Sequence, residues 1–403
     1  MILILNLGGE SLKFSLYGSK HKLYVSGKIK MIKNLKFIDY KIKQKHTKLK
    51  INEPVDNYVA YLLSFLVKQN LISTVDDIKH YVLRIVFCDY VNSPVALLDD
   101  QLYENIKANI TVSPIHNALS IALIDQIKTS VNNPSIICAF DSYFFNKIAN
   151  KKLPLNQRLA NKLKLYKRGF HGISYAYCLE TFIRSTKIKK PNLVMVHLGS
   201  GCSVCLIKNG KVIDCSMSYS PLSGLLMKTR SGDLDPTVLL KISEHYQWDL
   251  KQTIDYLNKQ SGLSSLVKDD INKLINLKTF TKNQKQTLDM YTNSIIKYIL
   301  LYLNQLTKVD GIVFTGGVCE FNSQIIRLIV DQIKLIDLDL INTKFIASNQ
   351  LNKISVDSSK FDLYLLKTNE NLMILKYTNM MLEANKTKLK QTNQEDIEQL
   401  EGN

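Results

Sequence analysis

The chain has 403 residues, 45% of them hydrophobic and 22% charged, with a formal net charge of +18. That balance excludes a disordered or fibrous chain and is long enough for two or three domains. The positive charge does not single out a nucleic-acid surface: lysines such as Lys28, Lys30, Lys33 and Lys36 are scattered among abundant Asn and Ile, and no recognised nucleic-acid motif accompanies them. Seven cysteines, an odd number, argue against a secreted disulfide framework. No apolar run approaches the ~20 residues of a membrane helix, and the apolar start at residues 1–5 is too short for a signal peptide. The expectation is a soluble cytoplasmic protein with neither a nucleic-acid nor a membrane partner.

In chain order, residues 2–5 form a short apolar run that reads as a buried strand, followed by a turn at Gly8-Gly9 and an extended run over 12–16. Amphipathic periodicity predicts helices over 56–68 and 115–127. The apolar run 136–140 ends on Asp141. Residues 193–197 repeat the opening unit: an apolar run, a turn at Gly199-Ser200-Gly201, then an alternating run over 203–207 and a hairpin signal at Asn209-Gly210. A helix is predicted over 288–306. A third glycine turn, Gly316-Gly317, separates the strand-like run 311–314 from helical periodicity over 323–335. From Ala384 the chain is polar and reads as a frayed helix or tail. A strand, glycine turn, strand unit occurring twice is the pattern of a duplicated two-domain protein, and the alternation of strands and helices argues for α/β.

Glycine turns after strands suit phosphate, because the backbone approaches closely and its amides point at the anion. None of the three is a P-loop, since GxxxxGK[ST] is absent, and Val204 stands where the third glycine of a dinucleotide fingerprint belongs. Asp141 at a strand end is placed to bind Mg²⁺ or orient a nucleophile. The loop 219–236 combines turn residues, two carboxylates and Arg230, whose planar fork matches phosphate oxygens. An ordinary hairpin, a helix cap at Asp141 and a solvated loop arginine remain open alternatives. Cys202 and Cys205 form a lone CxxC in an alternating segment, which reads as buried thiols rather than a metal site.

The same loop carries a specific resemblance. Pro221-Leu-Ser-Gly-Leu-Leu-Met-Lys-Thr-Arg-Ser-Gly-Asp-Leu-Asp-Pro236 resembles the acetate kinase signature PLEGLxMGTRSGDxDP. Arg168-Gly-Phe-His-Gly-Ile-Ser174 is similar to YGFHGTS, and His197-Leu-Gly-Ser-Gly201 to HLGNG. Asn6-Leu-Gly-Gly-Glu-Ser-Leu-Lys13 resembles NxGSSSxK, and Phe314-Thr-Gly-Gly-Val-Cys-Glu320 resembles FTAGIGE. Ser113-Pro-Ile-His-Asn117, Phe140-Asp-Ser-Tyr-Phe144 and Thr368-Asn-Glu370 resemble APLHN, FDTAF and TNE. The motifs stand in family order and reach from residue 2 to about 382.

The resemblance implies an α/β fold of two similar actin-like (ribonuclease H-like) domains with a cleft between them, homodimeric, in the superfamily of actin, sugar kinases and heat-shock chaperones. Residues 1–143 would form the first domain, 144–371 the second with the nucleotide site, a helix near 372–383 would pack back onto the first, and 384–403 would be the tail. The implied reaction is reversible in-line phosphoryl transfer between ATP and acetate, giving acetyl phosphate and ADP, with Mg²⁺ or Mn²⁺. The neighbouring expectations are a propionate or butyrate kinase and a catalytically weakened nucleotide-binding homologue. Carried over residue by residue, Asp141, His171 and Arg230 would be catalytic. Arg84 would hold substrate, with Val86, Ile115, Phe170 and Pro221 around its alkyl end. Lys13, His197, Leu198, Gly199, Ser200, Gly201, Asp270, Ile271, Asn272, Gly316, Gly317, Val318, Cys319 and Glu320 would contact ATP, and Asn6 and Glu370 would hold the metal. The chain departs from the family at Gly9 and Glu10, at Ser200, at Asn272, and across Leu83-Arg-Ile-Val-Phe-Cys-Asp89, where HRVVHGG keeps only its arginine and its flanking apolar residues. Asp89 and Glu10 add negative charge, so the expectation is an active kinase with altered substrate fit.

Overall fold

A computed structural model describes residues 1–8, 11–32, 35–43, 45–52, 55–89, 91–149, 151–342 and 345–401. The chain folds as two compact units, Met1–Tyr143 with Glu370–Asn403, and Phe144–Asn369.

The first unit is built on an eight-stranded sheet. Its strands are β1 (Ile2–Gly8), β2 (Ser11–Tyr17), β3 (Leu23–Ile32), β4 (Leu35–Ile42), β5 (Lys45–Ile51), β6 (His80–Ile85), β7 (Val95–Leu97) and β8 (Ile136–Phe140), in the order β5-β4-β3-β2-β1-β6-β8-β7. β1, β6 and β8 run parallel, and residues 2–5, 81–83 and 136–140 are continuously apolar because both faces of the sheet are covered there. β2 to β5 form an antiparallel meander that buries alternate residues: Leu12, Phe14 and Leu16, then Val25 and Ile29, then Ile38 and Tyr40. Helix Tyr58–Lys68 starts where the Asn57 side chain accepts from Ala60 N, and helix Pro114–Ser130 starts with a proline, which tolerates a first turn because it has no N–H to satisfy. The two helices pack on each other.

The opposite sheet face carries the polar residues of the same strands. Directly paired residues share a face, so Asn6, Lys13, Lys28, Asp39 and Lys48 form one row across β1 to β5, and Ser11, Lys30, Phe37 and Lys50 form the next.

The second unit holds a six-stranded sheet of β9 (Leu193–Leu198), β10 (Cys202–Lys208), β11 (Lys211–Cys215), β12 (Gly311–Thr315), β13 (Asn352–Lys353) and β14 (Leu363–Leu365), ordered β11-β10-β9-β12-β14-β13. The β10–β11 hairpin turns through Asn209 at φ 52° and Gly210 at φ 71°, the two consecutive positive values that a type I′ turn demands. Cys202 and Cys205 lie buried on β10. The long helix Lys282–Leu303 begins six residues before its apolar periodicity, because Thr281 and Gln284 form a capping box that sustains a polar first turn.

The order β3-β2-β1-β6-β8 in one unit matches β11-β10-β9-β12-β14 in the other, and both pair antiparallel, antiparallel, parallel, parallel. The repeated strand, turn, strand unit in the sequence is therefore the β1–β2 and β9–β10 pair of a repeated α/β architecture. The last helix, Glu370–Glu401, belongs to the first unit, where Met373, Ile374 and Leu375 are buried against its sheet. It continues without a break past Ala384. No helix among the described residues is long and apolar enough to cross a membrane.

Candidate active site

In the first unit, the parallel core strands deliver polar side chains at their carboxyl ends, where an α/β sheet gathers its functional groups. Asn6 on β1 is buried, and its amide Nδ2 donates to Glu370 Oε2 at 2.7 Å. Arg84, near the end of β6, donates from Nη2 to Asp141 Oδ2 at 2.9 Å and from Nη1 to Asn6 Oδ1 at 3.4 Å. Asp141 follows β8 directly and is fully buried. Burial alone would depress the Arg84 guanidinium, but Asp141 and Glu370 outweigh it and hold it raised. Four residues spread from position 6 to position 370 thus form one charged constellation.

Lys13, opposite Asn6 in the strand register, is exposed. Val86 is buried just past β6. The segment behind it is held by a residue to which the sequence reading gave no role: Asn117 donates from Nδ2 to the Phe87 carbonyl at 2.7 Å and accepts from Phe87 N at 3.3 Å. The next thiol, Cys88, is pushed up to about 12 by burial and by Asp89, which is itself half-buried. Ile115 lies in the first turn of helix Pro114–Ser130, but its side chain, like Gly9 and Glu10, lies outside the described residues.

In the second unit, His171, Arg230 and Gly201 converge. A Cβ built on Gly201 would stand 2.8 Å from Arg230 Nη2 and 2.9 Å from His171 Nε2, so glycine alone leaves room there. His171 adopts φ 61° and ψ 29°, uncommon for a residue with a side chain, and opens helix Gly172–Thr186. Its ring stacks on His197 with centroids 4.4 Å apart. His171 Nδ1 meets Ser203 Oγ at 2.8 Å, and His197 Nδ1 meets Ser174 Oγ at 2.9 Å. Phe170 is buried beside His171 in sequence, and the Pro221 carbonyl accepts from Arg230 Nη1 at 2.8 Å.

Arg230 is only 8% exposed and has no carboxylate within ion-pair distance among the described residues. Burial pushes its guanidinium down to about 10. The loop around it is set by glycines at positive φ, Gly224, Gly232 and Gly262. A Cβ on Gly262 would lie 2.8 Å from Arg230 N, so this glycine lets two backbone segments touch.

The two remaining glycine turns are equally tight. Gly199 N donates to Gly201 O at 2.9 Å, with Ser200 exposed between them and Leu198 in the core. Gly316 sits at φ 89° against the Leu198 backbone, where a Cβ would lie 2.5 Å from the Leu198 carbonyl oxygen. Glu320 braces this turn: its Oε1 accepts from Gly316 N at 3.2 Å and Thr368 N at 3.0 Å. Gly317 opens the short helix Gly317–Phe321, in which Val318 and Cys319 face the core, so only their backbone is offered to a ligand. Asp270 caps helix Ile271–Ile275, accepting from Asn272 N and Nδ2 at 3.0 Å each, while Ile271 is buried.

Likeness to known proteins extends along nearly the whole chain. The model of the acetokinase family matches residues 1–376. The acetate kinase of Mycoplasma genitalium is 33% identical over 387 residues, spanning 93% of this chain and 96% of that one. Among solved structures, a propionate kinase from Francisella tularensis superposes with a TM-score of 0.84 at 27% identity, covering 93% of this chain and 98% of the other. The acetate kinase from Entamoeba histolytica gives 0.78 at 27% identity, covering 94% and 98%.

Proposed function

This chain belongs to the acetokinase family, and from that premise we propose that it catalyses reversible phosphoryl transfer between ATP and acetate, forming acetyl phosphate and ADP. The observation that carries the reading is Arg230. A cation buried without a counter-charge is costly, and this one lies at a glycine beside a histidine ring nitrogen. Such a group is suited to an anion that arrives with the substrate.

In the transfer, an acetate oxygen forms a bond to the terminal phosphorus while the bond from that phosphorus to the ADP oxygen breaks. The attacking carboxylate carries no proton, so no general base and no covalent enzyme intermediate are required. Charge spreads over the equatorial phosphoryl oxygens in the transition state. Arg230 and His171 stabilise that charge by donation. Arg84, fixed by Asp141, binds the carboxylate, and Val86, Ile115, Phe170 and Pro221 border the alkyl end. The turns at Gly199–Gly201 and Gly316–Glu320, with Lys13 and Asp270–Asn272, bind the nucleotide.

Magnesium is the expected cofactor. Asn6 and Glu370 offer oxygen donors, which suit a hard cation. Among the described residues no group of three or more His, Cys, Asp or Glu could hold a metal alone. An ion held there would share its coordination with substrate phosphates and neutralise their charge. A cytoplasmic homodimer is the expected setting, and sedimentation velocity checks the assembly.

The test is hydroxamate formation from ATP, Mg²⁺ and acetate in hydroxylamine, with propionate and butyrate in parallel. Acetate-dependent product supports the reading. Product only from a longer acid changes the substrate and keeps the chemistry. No product from any acid overturns it.

A further inference from the structure

The hydroxyls behind His171 form a chain with a definite direction. Tyr175 lies in the first turn of helix Gly172–Thr186, and its backbone N donates to the carbonyl of the N-cap residue His171 at 3.0 Å. Its OH meets Ser203 Oγ at 2.6 Å, and Ser203 Oγ meets His171 Nδ1 at 2.8 Å. Tyr175 and Ser203 are both fully buried. The tyrosine ring is packed by Phe145 edge-on at 6.1 Å and by Phe144 at 6.3 Å. The His197 ring also lies against it at 6.4 Å, and Ser203 is its only hydrogen-bond partner among the described residues.

A buried hydroxyl proton left without an acceptor is costly. The phenolic proton therefore goes to Ser203 Oγ. Ser203 then spends its own proton on the remaining neighbour, His171 Nδ1. An imidazole that accepts at Nδ1 carries its proton at Nε2 in the neutral form. Nε2 is the atom that lies 2.9 Å from the Cβ position of Gly201, beside Arg230 Nη2 at 2.8 Å from the same point. Burial raises the Tyr175 phenol well above its ordinary value, with the Cys215 and Cys205 thiols adding to it, so the hydroxyl keeps the proton that starts the chain.

We propose that Tyr175 and Ser203 are positioning residues that lock His171 in the Nε2–H tautomer, presenting a hydrogen-bond donor beside Arg230 to the anion bound at Gly201. This rests on the transferase reading for its consequence, but not for its existence: the tautomer is a property of the unliganded chain. A phenylalanine at 175 would fill the same space, so the hydroxyl is what carries the effect. Neither residue touches substrate, and both act through the His171 ring.

The experiment is ¹⁵N NMR of the full-length protein labelled at histidine, with His171→Gln used to assign the resonance, run beside steady-state kinetics. The expected wild-type spectrum shows a pyridine-like Nδ1 and a pyrrole-like Nε2 at His171. In Tyr175→Phe, Ser203 is released to accept as well as donate, the two nitrogens move toward an averaged tautomer, and kcat falls roughly 10-fold to 100-fold with KM for ATP and acetate nearly unchanged. Ser203→Ala gives the same signature, and Ser203→Thr, which keeps the hydroxyl, restores it. A wild-type His171 with its proton on Nδ1 overturns the proposal whatever the variants do. So does a Tyr175→Phe protein that keeps both the wild-type nitrogen shifts and kcat. Should wild type transfer phosphate to no acid at all, the transferase reading fails while the nitrogen shifts still decide the tautomer.

Discussion

Each unit buries one candidate arginine, and the two are buried in opposite ways. Arg84 in the first unit is matched by Asp141 at 2.9 Å, and its guanidinium is held raised despite burial. Arg230 in the second unit hydrogen-bonds a carbonyl, has no carboxylate partner among the described residues, and is pushed down to about 10. The first is a finished ion pair and the second an unfinished one. A cation already neutralised can orient a substrate carboxylate but has little charge left over. A cation kept unpaired in a dry setting interacts most strongly with whatever negative charge develops near it. In the proposed reaction this difference suits Arg84 to holding and Arg230 to transition-state stabilisation, and it can be broken by experiment.

The largest effect is expected at Arg230. Arg230→Met should lower kcat on the order of 10³-fold, by analogy with arginines that act on phosphoryl transition states. The same variant should unfold at a higher temperature than wild type, because it removes a buried unpaired charge. Arg84→Met should do the reverse to stability: it breaks the buried pair with Asp141, a loss of about 3–5 kcal/mol. Calorimetry on the two variants reads the sign directly, and a midpoint that falls in both would break the distinction.

Alkaline pH sharpens it. The fold prefers the neutral form of Arg230, so its contribution to stability is full above the ordinary arginine value and is lost as the pH falls through about 10. Wild type should therefore be less stable than Arg230→Met below about pH 10, and the gap should narrow as the pH rises above it. Denaturant titrations at a series of alkaline pH values measure that gap. A gap independent of pH would mean that Arg230 does not titrate in this window.

A smaller loss is expected at Gly201. In Gly201→Ala the new methyl meets the far ends of Arg230 and His171 rather than backbone, so both can swing aside and the fold persists. The donors are then displaced by about an ångström, which can cost on the order of 10²-fold in kcat. Full activity in Gly201→Ala would show that these two groups need not stand together.

How much of this was legible in the sequence differs from element to element. The β1–β2 and β9–β10 units were readable because an apolar run followed by glycines is a local signal. Strands β4 and β5 were not, since in stretches such as Lys-His-Thr-Lys-Leu-Lys-Ile the lysines hide which face is apolar until the sheet forms. The constellation of Asn6, Arg84, Asp141 and Glu370 joins residues up to 364 positions apart, so no spacing rule could assemble it, and only resemblance to a family brought those residues together. Ser203 and Tyr175 escaped for the opposite reason. A serine in an alternating strand and a tyrosine on an apolar helix face look like ordinary core, and only the 2.6 Å and 2.8 Å contacts reveal a chain.

The smallest predicted effect concerns cations that are not buried at all. Lys28, Lys30, Lys48 and Lys50 stand on the sheet face that also carries Asn6 and Lys13, in two rows two residues apart along the strands. Lys28 is partly offset by Asp39 at 3.5 Å, and Lys48 lies over the Phe37 ring at 4.6 Å, which leaves Lys30 and Lys50 as the better probes. Exposed charges contribute little to stability, but a one-signed face raises the encounter rate of anionic substrates, and salt weakens that effect over a Debye length of about 10 Å at 0.1 M. Lys30→Gln with Lys50→Gln should leave kcat unchanged and lower kcat/KM for ATP only a few-fold, at low ionic strength alone. The buried Arg230 should show no such dependence, because solvent ions do not reach it. If the double variant keeps the full salt sensitivity of wild type, Lys30 and Lys50 are a product of composition and do not steer the substrate.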